Sequence, residues 1–208
     1  LPVITSANGG VRTTYTYDAA NPALVASETT EFADGTGDAH TTRYTYDVLG
    51  RQRTITDAEG FSSSFDYDDF GNLSRVTVGS YLLIAGQAGF DQSKADRAIP
   101  QTTTFTYDAA NNLIYTVDAE GGAIRSTYDV LGNRETQITG IADSNAANYP
   151  ELRLSTTYLW YADGTLKEQS NDAGERTVIA RDVLGRQTSV RTLQSVSGGV
   201  EAWTQTGY

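Results

Sequence analysis

Aromatic and polar residues alternate along several short runs of this chain, in TYTYD (14–18), RYTYD (43–47), SFDYD (64–68) and TFTYD (104–108). A period of two is that of a β-strand, whose successive side chains point to opposite faces. One face collects Tyr15, Tyr17, Tyr44, Tyr46, Phe65, Tyr67, Phe105, Tyr107, Tyr158 and Trp160 and is the candidate buried face; threonines fill the other. Two of these runs end in Asp-x-x-Gly, as in Asp47–Gly50, and two in Asp-x-x-Asn. An aspartate opening a turn can accept the backbone N–H two residues on, and glycine takes the left-handed conformation that closes a hairpin. A returning strand follows, over 51–56 or 72–78.

The hairpins recur on a fixed period. Tyr46 and Tyr67 lie 21 residues apart, as do Tyr107 and Tyr128, and Trp160 and Arg181. Within each pair a second turn falls at a constant place, DAEG (57–60), DAEG (118–121) and NDAG (171–174), with its glycine 7 residues before the next anchor. Gly10 stands in the same relation to Tyr17, so the chain opens on the second half of such a pair. Tyr208 falls where another anchor is due, which reads as an array continuing past it. The periodicity predicts an all-β chain: an antiparallel meander of about 15 strands with almost no helix. A sheet of that many strands has to curl, giving a spiral or solenoid-like form. The expected organisation is one repeat array over 1–208, with long loops near 31–41, 79–101, 138–155 and 193–202. The apolar start of the second loop is a candidate for a short helix.

Composition narrows the chemistry. The chain has no Cys, so thiol catalysis, disulfides and thiolate metal sites are excluded. A net charge of −11 opposes phosphate backbones and anionic membranes, so no nucleic acid is expected as a partner. No stretch is long and apolar enough for a membrane helix, so no membrane insertion is expected, and residues 1–10 do not read as a secretory leader. His40, the only histidine, lies in a Gly/Asp-rich insertion without a nucleophile-elbow pattern. Asp47, Asp68, Asp108, Asp129 and Asp182 recur at the turn-opening position, where a structural role already accounts for them. Asp66, Asp68 and Asp69 make the densest acidic cluster, with no calcium-loop spacing around it. No catalytic residue, metal or cofactor is therefore assigned. Arg51, Arg53, Arg186 and Arg191 near the turns read as solvated or paired with neighbouring Asp.

The segments YDVLGRQRTITDAEG (46–60), YDDFGNLSRVT (67–77), YDAANNLIYTVDAEG (107–121) and YDVLGNRETQ (128–137) resemble the YD repeat of the Rhs family, which includes bacterial Rhs polymorphic toxins, the C component of Tc toxins and the animal teneurins. The repeat-defining positions here are Tyr17, Asp18, Tyr46, Asp47, Gly50, Tyr67, Asp68, Gly71, Tyr107, Asp108, Tyr128, Asp129, Gly132, Asp182 and Gly185. Asn21 and Asn111 replace the turn glycine, the WYADG turn (160–164) is shifted, and Arg181 replaces an anchor Tyr. The resemblance implies a β-spiral that closes in long members into a shell, which in toxin members encloses an effector. It also implies a bacterial secreted or cell-surface setting. The Asp-Pro-x-Gly-Leu self-cleavage motif of toxin members does not occur in these residues.

In a spiral one turn stacks on the next, which suggests why the third turn residue is apolar: Ala20, Leu49, Phe70, Ala110, Leu131 and Leu184. These tips are expected to dock on a neighbouring coil or on the aromatic face. The first functional reading is a structural wall segment of a shell or stalk, partnered by neighbouring repeats and, in toxin members, an enclosed effector. The alternative is an adhesion module that binds a carbohydrate or a surface protein through its aromatic face or its long-loop edge, where Tyr81, Phe90, Tyr149 and Trp203 lie. An enzyme is the least supported of the three.

Overall fold

The computed structural model describes residues 4–8, 10–32, 37–82, 91–142, 154–196 and 200–207. It contains strands β1 (Ile4–Asn8), β2 (Val11–Tyr17), β3 (Val25–Phe32), β4 (His40–Tyr46), β5 (Gln52–Thr56), β6 (Phe61–Tyr67), β7 (Leu73–Tyr81), β8 (Gln101–Tyr107), β9 (Leu113–Val117), β10 (Gly122–Tyr128), β11 (Arg134–Ala142), β12 (Leu154–Trp160), β13 (Leu166–Asn171), β14 (Arg176–Arg181), β15 (Gln187–Val196) and β16 (Val200–Gly207). One helix, α1 (Gln92–Arg97), interrupts them. The chain divides into two compact units, Leu1–Thr104 and Phe105–Tyr208. In the first, β1 to β8 pair antiparallel in chain order. In the second, β9 to β16 do the same. The fold is all-β, as the alternation predicts.

The YD hairpins share one irregularity. The pairing slips by one residue between Thr45 and Tyr46, because Thr45 faces Thr54 while Tyr46 faces Gln52. Equivalent slips occur just before Tyr17, Tyr67, Tyr128, Trp160 and Arg181. Each is a bulge in the returning strand, and bulges sharpen the local twist of a hairpin. The period-two pattern therefore holds on the outgoing strand and breaks on the return, where Arg53, Ser74 and Glu135 are the extra residues.

The aromatic face is not a closed core. Tyr44, Tyr46, Phe65, Tyr67, Tyr158 and Trp160 are half-buried. Among the described residues only Ala123 and Leu193 are buried hydrophobic side chains. Packing within each unit runs between strands adjacent in sequence, so the expectation of a buried aromatic face is met only to the extent that neighbouring strands cover it.

The long connections are shorter than the sequence suggests, because the strands run into them. β7 reaches Tyr81 and β15 reaches Val196, which places Tyr81 at a strand end and Trp203 inside β16 rather than in loops. Phe90 and Tyr149 lie outside the described residues. The helix forms over the polar Gln92–Arg97, not over the apolar start of the insertion. Asp91 sets its beginning: the carboxylate accepts the Ser93 N–H at 2.8 Å, satisfying a donor that a helix start leaves open.

Candidate functional site

The turn that names the repeat is built the same way at each regular position. Asp47 N–H donates to the Arg51 carbonyl (2.8 Å) and Gly50 N–H returns to the Asp47 carbonyl (3.0 Å). One carboxylate oxygen of Asp47 accepts the N–H groups of Leu49 and Arg51, each at 2.9 Å. The other accepts Arg51 Nε at 2.6 Å. Asp182 and Arg186 repeat this arrangement. At Asp68, Asp108 and Asp129 an amide takes the place of the guanidinium, from Asn72, Asn112 and Asn133. This explains the Arg or Asn that follows the turn: it satisfies the outer carboxylate oxygen.

The closing residue adopts positive φ, +81° at Gly50 and +64° at Asn111, a region asparagine tolerates better than most side chains. Asn21 does not take that role. Its turn is wider, with Asp18 N–H reaching Leu24 and Tyr17 facing Val25, and Pro22 biases Asn21 toward extended backbone. In the shifted turn Tyr161 stands where Asp is expected: Gly164 N–H donates to its carbonyl at 3.0 Å.

These bonds hold the turn carboxylates ionised. Partial desolvation pushes Asp47 and Asp68 upward, but hydrogen bonds from Arg51 and Leu49, and from Asn72 and Phe70, outweigh it and leave both below the ordinary carboxylate value. Side-chain hydrogen bonds from Asn112, Asn133 and Arg186 lower Asp108, Asp129 and Asp182 in the same direction. Carboxylates occupied in this way lock their turns.

The anchor aromatics are engaged as well. The Tyr67 hydroxyl donates to the carbonyl of Gln52 at 3.0 Å, and Gln52 is the residue facing the preceding anchor, Tyr46. Tyr46 donates to Val25, which faces Tyr17 (2.8 Å). Tyr128 donates to Leu113 (2.9 Å). The Trp160 indole N–H donates to Arg134, which faces Tyr128 (2.7 Å). Each of these four anchors thus ties its hairpin to the one before. Arg181 breaks the series: its Nη1 donates to Gly185 in its own turn, and its Nε is buried without an acceptor. There the tie runs the other way, from the Tyr161 hydroxyl to Ile179 (2.9 Å). Sequence reading missed these ties, although a signal exists: the anchor always carries a terminal O–H or N–H donor, whereas Phe is accepted two residues earlier, at Phe65 and Phe105.

The remaining candidates do not converge. His40 begins β4, is exposed and faces Thr30. It lines an open cavity of about 280 Å³ with Val11, Glu31, Phe32 and Asp38. Tyr81 packs edge-on against Phe61 (ring centroids 5.4 Å apart) and its hydroxyl accepts the Asp91 N–H at 2.8 Å, so it fastens the insertion that carries α1. No group of three or more His, Asp or Glu side chains among the described residues is placed to hold a metal ion. No helix among them is long and apolar enough to cross a membrane.

The two turn edges of the strands differ in chemistry. At the YD edge, Val48, Val130 and Val183 are fully exposed, Leu49, Leu131 and Leu184 are about three-quarters exposed, and Phe70 is 78 % exposed. The expected docking of these tips on the chain's own aromatic face is therefore not observed; a turn of two residues points its tip away from both sheet faces. At the opposite edge the same places hold Ala58-Glu59 and Ala119-Glu120, also exposed.

Residues 46–80 match the family model described as RHS Repeat. No curated protein matches the chain by sequence. Among solved structures, the crystal structure of TcdB2-TccC3-Cdc42 superposes with a TM-score of 0.66 at 16 % identity, covering 88 % of this chain and 9 % of that one. The crystal structure of TcdB2-TccC3 gives 0.65 at 16 % identity, with the same coverage. TcdB2-TccC3 without its hypervariable C-terminal region gives 0.66 at 16 % identity, again over 88 % and 9 %, so the likeness does not depend on that region. The chain spans a small fraction of the solved chains it matches, and what they share is the fold. Together with the 21-residue Tyr-Asp period, these matches identify an RHS Repeat at residues 46–80 and, over most of the chain, the fold seen in the TcdB2-TccC3 structures.

Proposed function

We propose that this chain is a non-catalytic wall segment of a large secreted or cell-surface protein, in which successive YD hairpins extend a sheet that surrounds an effector or forms a stalk. The observation that carries this reading is the anchor tie. The tyrosines that could have formed a ligand platform have their hydroxyls fixed on the preceding hairpin's backbone. The turn aspartates that could have done acid–base work are locked by their own turns. A side chain held in this way supports architecture. The likeness to TcdB2-TccC3 supports the same reading.

The reading frame surrounding this sequence tests the proposal. Further 21-residue Tyr-Asp repeats leading to an Asp-Pro-x-Gly-Leu stretch and an unrelated terminal domain are the expected result for an enclosing wall. Repeats leading to a membrane or cell-wall anchor would overturn enclosure in favour of adhesion. Adhesion would in turn require saturable binding to a surface glycan or protein, read on a glycan array or by intrinsic fluorescence. Substrate hydrolysis that vanishes in His40→Ala would contradict the non-catalytic reading.

A further inference from the structure

We propose that the YD turn edge is a homotypic contact surface, at which the apolar tips of one copy of this chain meet those of a second copy. Asp47–Gly50 and Asp57–Gly60 have the same backbone: a 3.0 and a 3.2 Å hydrogen bond close them, and both glycines have positive φ. Each aspartate accepts two backbone N–H groups in the same way. The side chains of the two central residues take no part in these bonds, so the turn itself accepts Val-Leu or Ala-Glu equally. Yet Val-Leu stands at three YD turns and Ala-Glu at two of the opposite turns. The sorting has to reflect what each edge faces.

Charge selects the occupant. With a net charge of −11, two copies repel one another over most of their surfaces. The opposite edge adds Glu120 and Asp172 to that repulsion, while Glu59 there is paired with Lys94. At the YD edge the turn-opening carboxylates point back into their own turns, and Arg51 and Arg186 neutralise two of them. Only Asp69 and Asp163 are exposed acids at the described YD tips. This edge is thus where a second equally acidic copy can approach and where apolar surface remains to be buried. Val48, Leu49 and Phe70 in the first unit, and Val130, Leu131, Val183 and Leu184 in the second, offer on the order of 100 Å² each, so the tips of one unit meeting those of a second copy bury less than about 1,000 Å² in total, the small, reversible end of the interface scale. The proposal goes beyond the wall reading, and the two can fail separately: the wall reading rests on the surrounding reading frame, this one on association of the chain as it stands.

Sedimentation velocity on the chain across its soluble concentration range is the test, beside a variant with Ser at 48, 49, 130, 131, 183 and 184, which leaves the net charge unchanged. The expected result is reversible self-association of the native chain that tightens with added salt, as repulsion is screened and apolar burial strengthened. In the serine variant it weakens by roughly tenfold or more, corresponding to about 1.4 kcal/mol. Unaltered circular dichroism would establish that the variant is folded, and the single-turn variant Val183→Ser/Leu184→Ser, expected to weaken association by a smaller factor, serves if the full one is not. A native chain that stays monomeric throughout would overturn the proposal. So would association of equal strength in the serine variants, which would assign the contact to the strand edges.

Discussion

The turns Asp47–Gly50 and Asp57–Gly60 are the same turn with opposite surfaces. Both close with a glycine at positive φ, and both use an aspartate to gather backbone N–H groups. One displays Val48 and Leu49, the other Ala58 and Glu59. The comparison separates two kinds of information that a repeat sequence carries. The Asp and the Gly specify the hairpin, and any exchange between the edges leaves them in place. The residues between them specify what the edge meets.

If that separation holds, damage to the shared framework should cost the same at either edge. Gly50→Ala and Gly121→Ala each place a Cβ where no close atom interferes: the nearest at Gly50 is Leu24 Cδ1 at 3.6 Å, and nothing lies within 4 Å at Gly121. The cost is then the backbone conformation alone, about 1–2 kcal/mol at both sites by chemical denaturation. A cost at only one edge would break the equivalence. Next in size is the anchor tie, which belongs to the YD edge only. Tyr67→Phe removes the donor to the Gln52 carbonyl and should cost about 1 kcal/mol by chemical denaturation, whereas Phe65→Leu, on the same face without a tie, loses packing alone.

The pH dependence sharpens the comparison further. The carboxylates of Asp47, Asp68, Asp108, Asp129 and Asp182 lie below their unfolded value of about 3.9, so the stability they contribute is complete above it and is lost as pH falls through the folded values. The unfolding temperature should be level from neutral pH to about 5 and decline below about 4. Asp47→Asn together with Asp182→Asn should flatten that decline. The smallest expected effect is that of the tip residues on the fold itself: Val48→Ala with Leu49→Glu should change stability by less than about 0.5 kcal/mol.

Much of this was legible in the residues. The two-residue alternation gave the strands and the Asp-x-x-Gly spacing gave the hairpins; pairing with a neighbouring Asp was one of two readings open for Arg51 and is the one observed, while the same role of Asn72 was not read. Three things were not. The bulge before each anchor leaves no mark in composition, because Arg53, Ser74 and Glu135 differ in character and only the pairing slips. The helix at Gln92–Arg97 was hidden by the more apolar residues ahead of it, although Asp91 is an ordinary helix-opening residue. The loops are narrower than their sequence suggests because β7 and β15 continue for as long as β6 and β16 offer them backbone partners, a property of the neighbouring strand and not of their own sequence. Of the candidate ligand residues, Tyr81 is a fastener of the insertion, and its place at a strand end follows from that same extension.

The most direct test is thermal unfolding of the chain with Ala-Glu, the pair found at 58–59, installed at 48–49, 130–131 and 183–184. The expected result is an unfolding temperature and cooperativity matching the native chain, because the turns are held by Asp and Gly and the tip side chains are mostly exposed. A marked fall in unfolding temperature would contradict it, since Val and Leu would then be part of what holds the hairpins together.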